Sequence, residues 1–276
     1  MSPLISGCAV VAVTAAVSAC ARVIIAPHVE AQPQAEASEL RFAPPPAAPP
    51  VASETYHVTI AMTADTAEAL AASGFALMGF KAVGATDKAG VPLVWFRATH
   101  YSLSTAVTWH SRYQAYTATH ATGSSASIDA MASYDIASGQ VLEVQHPTGT
   151  GVVRLGGTPG AISFHNQTTT LFTCGISQYQ AGVAAPIASF PLHGKSLQVA
   201  VPMERVLLVF ATVLLEPGTP VRTSPGLGVL LDLGDAHERS VTYDINAGWR
   251  WGGHPWAQEV PPDADIVPLL IVSLPR

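Results

Sequence analysis

The stretch that decides the fold class is Thr105–Thr119, TAVTWHSRYQAYTAT. Large apolar side chains recur at alternate positions, which is the period of a β-strand with one buried and one solvent-facing side. One side carries Val107, Trp109, Ser111, Tyr113, Ala115 and Thr117, and the other carries Thr108, His110, Arg112, Gln114 and Tyr116. We therefore expect Trp109 and Tyr113 to lie in a core.

A second strand signal is the apolar run Val206–Leu215, VLLVFATVLL, which is typical of a strand covered on both sides. After Tyr56 the chain consists of short segments rich in Val, Thr and aromatic residues, separated by Gly, Pro, Ser and Asn. Strong helix formers cluster only at Ala64–Ala72, where we predict a helix. The predicted fold class is all-β, a β-sandwich of many short antiparallel strands with little helix, in a single domain over residues 54–276.

The strands and turns predicted within this domain follow from local composition. The strands are His57–Met62, Phe75–Val83, Leu93–Thr99, Ala106–Thr119, Val141–Gln145, Gly151–Leu155, Ala161–Phe164, Leu171–Ile176, Ile187–Pro191, Leu197–Val201, Val206–Leu215, Gly228–Leu233, Arg239–Ile245 and Val267–Ser273. Hairpin turns are predicted at Thr148-Gly149, Gly156-Gly157 and Asn246-Ala247-Gly248, because Gly and Asn tolerate positive φ. The Gly-rich segment Gly149–Gly160 is accordingly interpreted as two hairpin turns.

The residues before this domain resemble an export signal followed by a spacer. Residues 1–21 form a signal-like apolar segment, and Val17-Ser18-Ala19-Cys20 resembles a bacterial lipobox, which would make Cys20 a lipidated first residue. Cleavage after Ala19 or Ala21, an uncleaved anchor and a misassigned start codon are the alternatives. Residues 22–53 are a disordered Pro/Ala-rich linker, in which clustered prolines favour an extended chain. We expect a secreted or membrane-tethered, extracytoplasmic protein.

Charge and cysteine content exclude several classes of partner. Of the 276 residues, 13 are Lys or Arg and 19 are Asp or Glu, which gives a net charge of −6, and charged residues make up only 12% of the chain. Such a chain lacks the electrostatic attraction that nucleic-acid binding needs. Cys8, Cys20 and Cys174 are too scattered for a disulfide framework or a zinc site. We predict no cofactor, and a buried, unreactive Cys174.

Motifs for catalysis and metal binding are weak. No G-x-S-x-G nucleophile elbow occurs, and the ten histidines, among them His100, His110 and His120, show no metal-ligand spacing. Asp232, Asp235 and Glu238 are interpreted as a solvated turn rather than a calcium loop. A hydrolase built from His110, His165 and Asp244 is the lowest-ranked hypothesis, and the balance of motifs favours a protein that is not an enzyme.

The densest candidate site is Tyr243–Trp256, YDINAGWRWGGHPW, which contains three tryptophans. These rings either plug one end of the sandwich or form a binding surface, because amphipathic aromatics suit sugar faces, choline headgroups and membrane interfaces. The predicted ligand-binding residues are Tyr243, Asp244, Asn246, Trp249, Trp251 and Trp256. Asn166-Gln167-Thr168 is a glycosylation sequon in an expected exposed turn, so Asn166 is a candidate modification site.

Two segments resemble one β-sandwich superfamily. Ser240–Asn246, SVTYDIN, with Trp249 nearby, resembles the headgroup site of the sea-anemone cytolysins, the actinoporins. Gly160–Tyr179, GAISFHNQTTTLFTCGISQY, is similar to a strand pair of the fungal fruit-body lectins. The resemblance implies a β-sandwich that binds a glycan or a lipid headgroup.

Two functions are expected from these observations. The first is an exported, non-enzymatic protein that binds a glycan or phospholipid headgroup, and so a membrane surface, through the aromatic loops. The alternative is an oligomeric, membrane-active protein of the pore-forming, cytolysin-like kind, or a structural assembly protein. In that case the low charge and the apolar strands would serve a homo-oligomeric interface.

Overall fold

Strands account for most of the chain that the computed structural model describes, namely residues 53–119, 127–180 and 182–274. The signal-like segment, Cys20, His120 and the linker up to residue 52 lie outside the described residues. All described residues belong to one structural unit. The prediction of an all-β, sandwich-like fold is confirmed.

The elements are numbered in chain order. They are β1 (Thr55–Ala61), α1 (Ala64–Ala72), β2 (Ala76–Ala85), β3 (Val91–Pro92), β4 (Phe96–Ala98), β5 (Ser104–Ala118), β6 (Ala132–Ile136), β7 (Gln140–Val144), β8 (Gly151–Leu155), β9 (Ile162–Asn166), β10 (Phe172–Gln180), β11 (Val183–Leu192), β12 (Leu197–Ala211), β13 (Gly228–Asp232), β14 (Glu238–Asp244), β15 (Gly248–Arg250), β16 (Ala257–Val260), α2 (Val267–Leu270) and β17 (Ile271–Ser273).

Two curled sheets contain these strands. The first has the order β15-β14-β1-β5-β10-β11-β3, with β6 also paired to β5. The second has the order β16-β13-β12-β9-β7-β8, and β2 joins it beside β12 while carrying β4 and β17. Three pairings, β1 with β14, β7 with β9 and β17 with β2, are parallel. The expectation of antiparallel strands is wrong for these three, because strands distant in sequence can meet without a tight turn.

Strand β5 organises the first sheet. Trp109 and Tyr113 are buried, as predicted from the alternation. Tyr116, expected on the solvent side, is also buried and donates a hydrogen bond to the Ala188 carbonyl at 2.9 Å. The alternation therefore holds for the first two thirds of β5, and the end of the strand is covered on both faces.

Strand β12 organises the second sheet. The sequence predicted two strands, Leu197–Val201 and Val206–Leu215, but the structure has one, which passes an irregularity between Pro202 and Val206. The predicted end was also wrong, because β12 ends at Ala211 and Leu214 is 74% exposed. The bulge allows a proline within the strand and places Glu204 opposite the other sheet.

Other local predictions have mixed outcomes. Helix α1 has the predicted bounds, and the Thr63 side chain caps it by accepting a hydrogen bond from the Thr66 amide. The predicted strand Val267–Ser273 begins instead as α2, with a proline in the first turn where its missing N–H costs nothing. Only one of the two hairpins predicted in Gly149–Gly160 forms. Strands β7 and β8 pair antiparallel and form it, whereas β9 pairs in parallel with β7 and not with β8.

A buried ion pair within the second sheet accepts hydrogen bonds from the first sheet. Lys81 of β2 has no solvent exposure, and its Nζ donates to Glu204 Oε2 of β12 at 2.6 Å. From β5, Trp109 Nε1 donates to Oε2 at 2.7 Å and Tyr113 donates its hydroxyl proton to Oε1 at 2.9 Å. The Lys81 ammonium lies 4.5 Å from the Trp109 ring centroid and 5.8 Å from that of Trp95.

The electrostatics of this cluster are set by burial and by pairing. Desolvation alone would raise the pKa of Glu204, but the Lys81 charge and the hydrogen bonds from Lys81, Trp109 and Tyr113 together hold this pKa below its ordinary value. Burial lowers the pKa of Lys81, and the Glu204 charge opposes that shift. Each charge is therefore tolerated in the interior only because the other is present.

We expect Lys81→Met to lower the free energy of unfolding by about 3–5 kcal/mol, because Glu204 would be left as an unpaired buried carboxylate. The double variant Lys81→Met/Glu204→Gln should recover most of this loss, since Gln is uncharged and its oxygen still accepts from Trp109 or Tyr113. Urea denaturation followed by circular dichroism measures both. The control is Arg112→Met, which breaks the exposed Arg112–Asp135 pair and should cost less than about 1 kcal/mol. Equal losses in the single and double variants would show that pairing of the charges is not what stabilises this site.

Candidate functional site

The Tyr243–Trp256 segment begins as a hairpin, which confirms the turn predicted at Asn246-Ala247-Gly248. In the β14–β15 pair, Thr242 lies opposite Arg250, Tyr243 opposite Trp249, and Asp244 opposite Gly248. Because side chains alternate along each strand, Tyr243 and Trp249 face the core together, whereas Thr242 and Arg250 face outward. The hairpin therefore separates the predicted site residues into a buried group and a surface group.

Trp249 belongs to the core. It is 3% exposed, its Nε1 donates to the Leu227 carbonyl at 3.0 Å, and its ring stacks on Phe210 at 5.5 Å between centroids. Tyr243 packs against the same Phe210 ring at 4.6 Å. Of the two interpretations of the tryptophans, plugging the sandwich therefore applies to Trp249, whose ring is not open to a ligand in this structure.

Asp244 shapes the turn between β14 and β15. Its Oδ1 accepts hydrogen bonds from the Asn246 and Ala247 amides, both at 2.9 Å, and Thr66 donates its hydroxyl proton to Oδ2 at 3.4 Å. The two backbone hydrogen bonds are the main reason that the pKa of Asp244 is below its ordinary value. Gly248 completes the turn at a φ of 74°, a conformation that favours glycine.

The outward side of the hairpin forms an open groove, here called the aromatic groove, made of two adjoining depressions. The first has a volume of about 520 Å³ and is lined by Ala61, Glu238, Arg239, Ser240, Val241, Thr242, Arg250, Trp251, Gly252, His254 and Trp256. The second, of about 480 Å³, is lined by Ala61, Met62, Thr63, Thr242, Tyr243, Asp244, Ala247 and Arg250. Ala61, Thr242 and Arg250 line both, so the depressions lie side by side.

The predicted site residues are distributed unevenly over this groove. Trp251 and Trp256 line the first depression, and Tyr243 and Asp244 line the second. Asn246 is exposed at the tip of the turn and, like Trp249, lines neither depression. The ring of Tyr243 faces the core, so three of the six predicted residues, Asp244, Trp251 and Trp256, present their side chains at this surface.

Trp256 is held in place by two neighbours. The Arg239 guanidinium lies 4.9 Å from its ring centroid, and the His254 ring stacks on it at 5.6 Å with an interplanar angle of 14°. Arg239 is itself fixed by an ion pair with Asp235 and by a hydrogen bond from its Nε to the Asp232 carbonyl at 3.3 Å. Trp251 is half-buried and packs on the core from the groove side.

The charges of the groove are nearly balanced. Arg239 is neutralised by Asp235, which leaves the exposed Arg250 together with Glu238 in the first depression and Asp244 in the second. Hydroxyl groups of Ser240, Thr242 and Thr63 supply the remaining polar lining. This surface offers aromatic area and hydrogen-bonding groups without a strong field of either sign.

The hydrolase hypothesis is not supported by placement. His110 lies opposite Thr55 at the first residue of β1. Asp244 lies at the other end of β1, two residues after Thr242, which is opposite Ala61. His165 lies in the other sheet, between Leu197 and Glu143. The three residues do not meet, so the prediction that they form one site is wrong.

The prediction that Asn166 lies in an exposed turn is also wrong. Asn166 ends β9 with no exposure, and its Nδ2 donates to the carbonyls of Thr170, Leu192 and His193 while its Oδ1 accepts from Thr168. This side chain holds a turn from the inside, and a glycan attached to its Nδ2 would disrupt the three hydrogen bonds that this atom donates. Cys174, in contrast, is buried and free as predicted, and burial raises the pKa of its thiol.

The acidic residues after β13 are engaged with cations and backbone. Asp232 pairs with Arg205 at 2.7 Å and accepts from the Gly234 amide at 2.9 Å, and Asp235 pairs with Arg239. Among the described ranges, no group of three or more His, Cys, Asp or Glu side chains could hold a metal ion. No helix in the described part of the chain is long and apolar enough to span a membrane.

Sequence reasoning missed Arg239, Ser240, Thr242 and Ala61 as groove residues. A local signal existed for two of them, because Val241 and Tyr243 alternate with Ser240 and Thr242 in a predicted strand. Ala61 enters through the parallel pairing of β1 with β14, in which Ala61 lies opposite Thr242. Local sequence gives no indication of that pairing.

The different placements of two tryptophans predict different costs of truncation. Trp249→Ala should lower the free energy of unfolding by about 3–5 kcal/mol, because it empties a packed aromatic cluster. Trp251→Ala, at a half-buried surface position, should cost clearly less. Far-ultraviolet circular dichroism during urea unfolding measures both without relying on tryptophan emission. Equal costs would contradict the division of the hairpin into a core side and a groove side.

Comparison of the chain with protein-family models, with curated proteins and with solved structures finds no match. Inference about function therefore depends on the residues of the aromatic groove and on the chemistry that they can perform.

Proposed function

We propose that this protein is a non-enzymatic binding protein that recognises a neutral oligosaccharide along the aromatic groove. The observation that carries the proposal is the placement of Trp251 and Trp256 beside the hydroxyl groups of Ser240 and Thr242 in one open, elongated depression. In the proposed complex the chain positions the sugar and changes no covalent bond.

The lining chemistry matches a saccharide on both of its surfaces. The C–H face of a pyranose is apolar and packs on indole rings, and its rim of hydroxyl groups exchanges hydrogen bonds with side-chain hydroxyls and with Arg. The two depressions adjoin at Thr242 and Arg250, so a ligand of more than one sugar ring could contact both. The resemblance to the fruit-body lectins supports the same ligand class.

The charge distribution favours a sugar over a choline headgroup at this site. A quaternary ammonium binds over aromatic faces, and the Arg239 guanidinium already lies 4.9 Å from the Trp256 ring centroid. This ring therefore already has a cationic partner, and a second cation would find only Glu238 as a carboxylate in the first depression. A neutral ligand needs no carboxylate partner.

Export and display outside the cytoplasm are part of the proposal. The apolar segment ending at Cys20 and the Pro/Ala-rich spacer support it, because together they would hold a binding domain away from a membrane. A glycan receptor is useful where glycans are found, on cell surfaces and in the surrounding medium.

The binding test uses the full-length chain, a panel of soluble neutral oligosaccharides and, separately, phosphocholine vesicles. We expect saturable binding to at least one oligosaccharide, with a blue shift of tryptophan emission. Trp251→Ala should weaken this binding about tenfold or more, since stacked aromatic residues dominate binding energy in such sites.

Asn246→Ala provides the matched control, because Asn246 lies in the same hairpin but outside the groove. It should bind as the wild type does. Binding of phosphocholine vesicles in place of all oligosaccharides would overturn the ligand class, and unchanged oligosaccharide binding by a folded Trp251→Ala protein would overturn the site.

The export proposal is tested on protein isolated from its natural host. Intact-mass measurement should find a chain that begins at Cys20 or Arg22, with additional acyl mass if Cys20 is lipidated. A chain that begins at Met1 and is recovered from the cytosol would contradict export.

A further inference from the structure

A second cavity lies at the other end of β5 from the aromatic groove. Ser104, the first residue of β5, lies opposite Ala61 of the groove, whereas Thr119, just after the strand, lines the second cavity. A 15-residue strand at about 3.3 Å per residue separates the two along the chain. The second cavity is therefore a separate site, independent of the proposed glycan binding.

Three basic side chains line this cavity. They are Lys88 from the β2–β3 loop, His193 from the end of β11 and Arg222 from the segment before β13, and all three are exposed. Among the described residues, no Asp or Glu lines it. Asp87, the acid adjacent in sequence, accepts a hydrogen bond from the Ala89 amide at 2.8 Å. The described lining therefore carries two permanent positive charges and no carboxylate, in a protein whose net charge is −6.

Lys88 and Arg222 are two of the four described Lys and Arg residues that form no ion pair, the others being Lys195 and Arg250. Lys81, Arg97, Arg112, Arg154, Arg205 and Arg239 all form ion pairs. Across the described residues, neither Lys88 nor Arg222 has an ion-pair partner. Two unpaired cations that converge on one cavity create a site for which an anion is the complementary occupant.

The size and lining of the cavity indicate the kind of molecule to which the anionic group belongs. Its volume is about 480 Å³, within the usual range of about 300–1,000 Å³ for small-molecule sites. Beside the basic groups, Leu171, which is 60% exposed, and the half-buried Pro191 supply an apolar wall, and Thr119 supplies a hydroxyl group. An inorganic ion would leave that wall uncovered, whereas an organic anion would cover it.

We propose that this cavity binds a small phosphate monoester with an apolar body. Two permanent positive charges match the near-dianionic charge of a phosphate monoester at neutral pH better than the single charge of a carboxylate. Arg222 presents the planar donor group suited to phosphate oxygens, Lys88 and His193 complete the basic rim, and the ester group packs on Leu171 and Pro191.

The test is isothermal titration calorimetry of the full-length chain at physiological ionic strength. The probes are phenyl phosphate, inorganic phosphate, benzoate and benzyl alcohol. Phenyl phosphate should bind saturably, and the other three should each bind about tenfold more weakly or not detectably, because each lacks part of the charge or the apolar body. Arg222→Gln should weaken phenyl phosphate binding about tenfold.

Two control variants show whether phenyl phosphate binding depends on this cavity. Arg154→Gln removes the same charge on the remote edge strand β8 and should leave binding unchanged, so an equal loss there would show a net-charge effect and overturn the site. Trp251→Ala should also leave phenyl phosphate binding unchanged, which separates this result from the fate of the glycan proposal. Absence of saturable phenyl phosphate binding, or wild-type binding by a folded Lys88→Gln/Arg222→Gln protein, would overturn the proposal.

Discussion

The buried contact between Lys81 and Glu204 is the constraint on which the packing of the two sheets depends. Both residues belong to the second sheet, yet the carboxylate receives its other two hydrogen bonds from Trp109 and Tyr113 of the first. Apolar side chains tolerate many sliding offsets between sheets, whereas a buried charge with fixed donors tolerates few. The bulge in β12 places Glu204 where all three donors reach it. The cluster therefore selects one offset of β5 against β2 and β12.

Much of the fold could be predicted because its strands carry local patterns. Alternation in β5 identified Trp109 and Tyr113 as core residues, and composition gave the bounds of α1 and β8. The failures occur where tertiary contacts override local signals. A proline such as Pro202 predicts the end of a strand, but β12 continues beyond it because the strand contains a bulge. Lys81 reads as a surface residue within an apolar strand, and its partner lies 123 positions away. No local pattern shows the pairing of distant strands that makes three contacts parallel.

The candidate site was only partly predictable for the same reason. Composition located the aromatic segment, but not which rings face inward. The cross-strand pairing of Tyr243 with Trp249 decides this, since a shift of one residue would have exchanged the two sides. Trp251 and Trp256 lie beyond the hairpin and remain at the surface. The basic cavity gave no sequence signal, because Lys88, His193 and Arg222 come from three separate loops and converge only in the fold.

The parallel partners of the first strands come from the end of the chain. Strand β1 is held between β5 and β14, and β2 pairs with β17, whose last residue is Ser273. A ribosome therefore releases β1 and β2 long before their parallel neighbours exist, and neither parallel pairing can form until β14 and β17 have been synthesised. Such late pairing favours slow folding, because distant segments must meet first. It also leaves the nascent chain extended enough to be threaded through a translocation channel before it folds, as the proposed export would require.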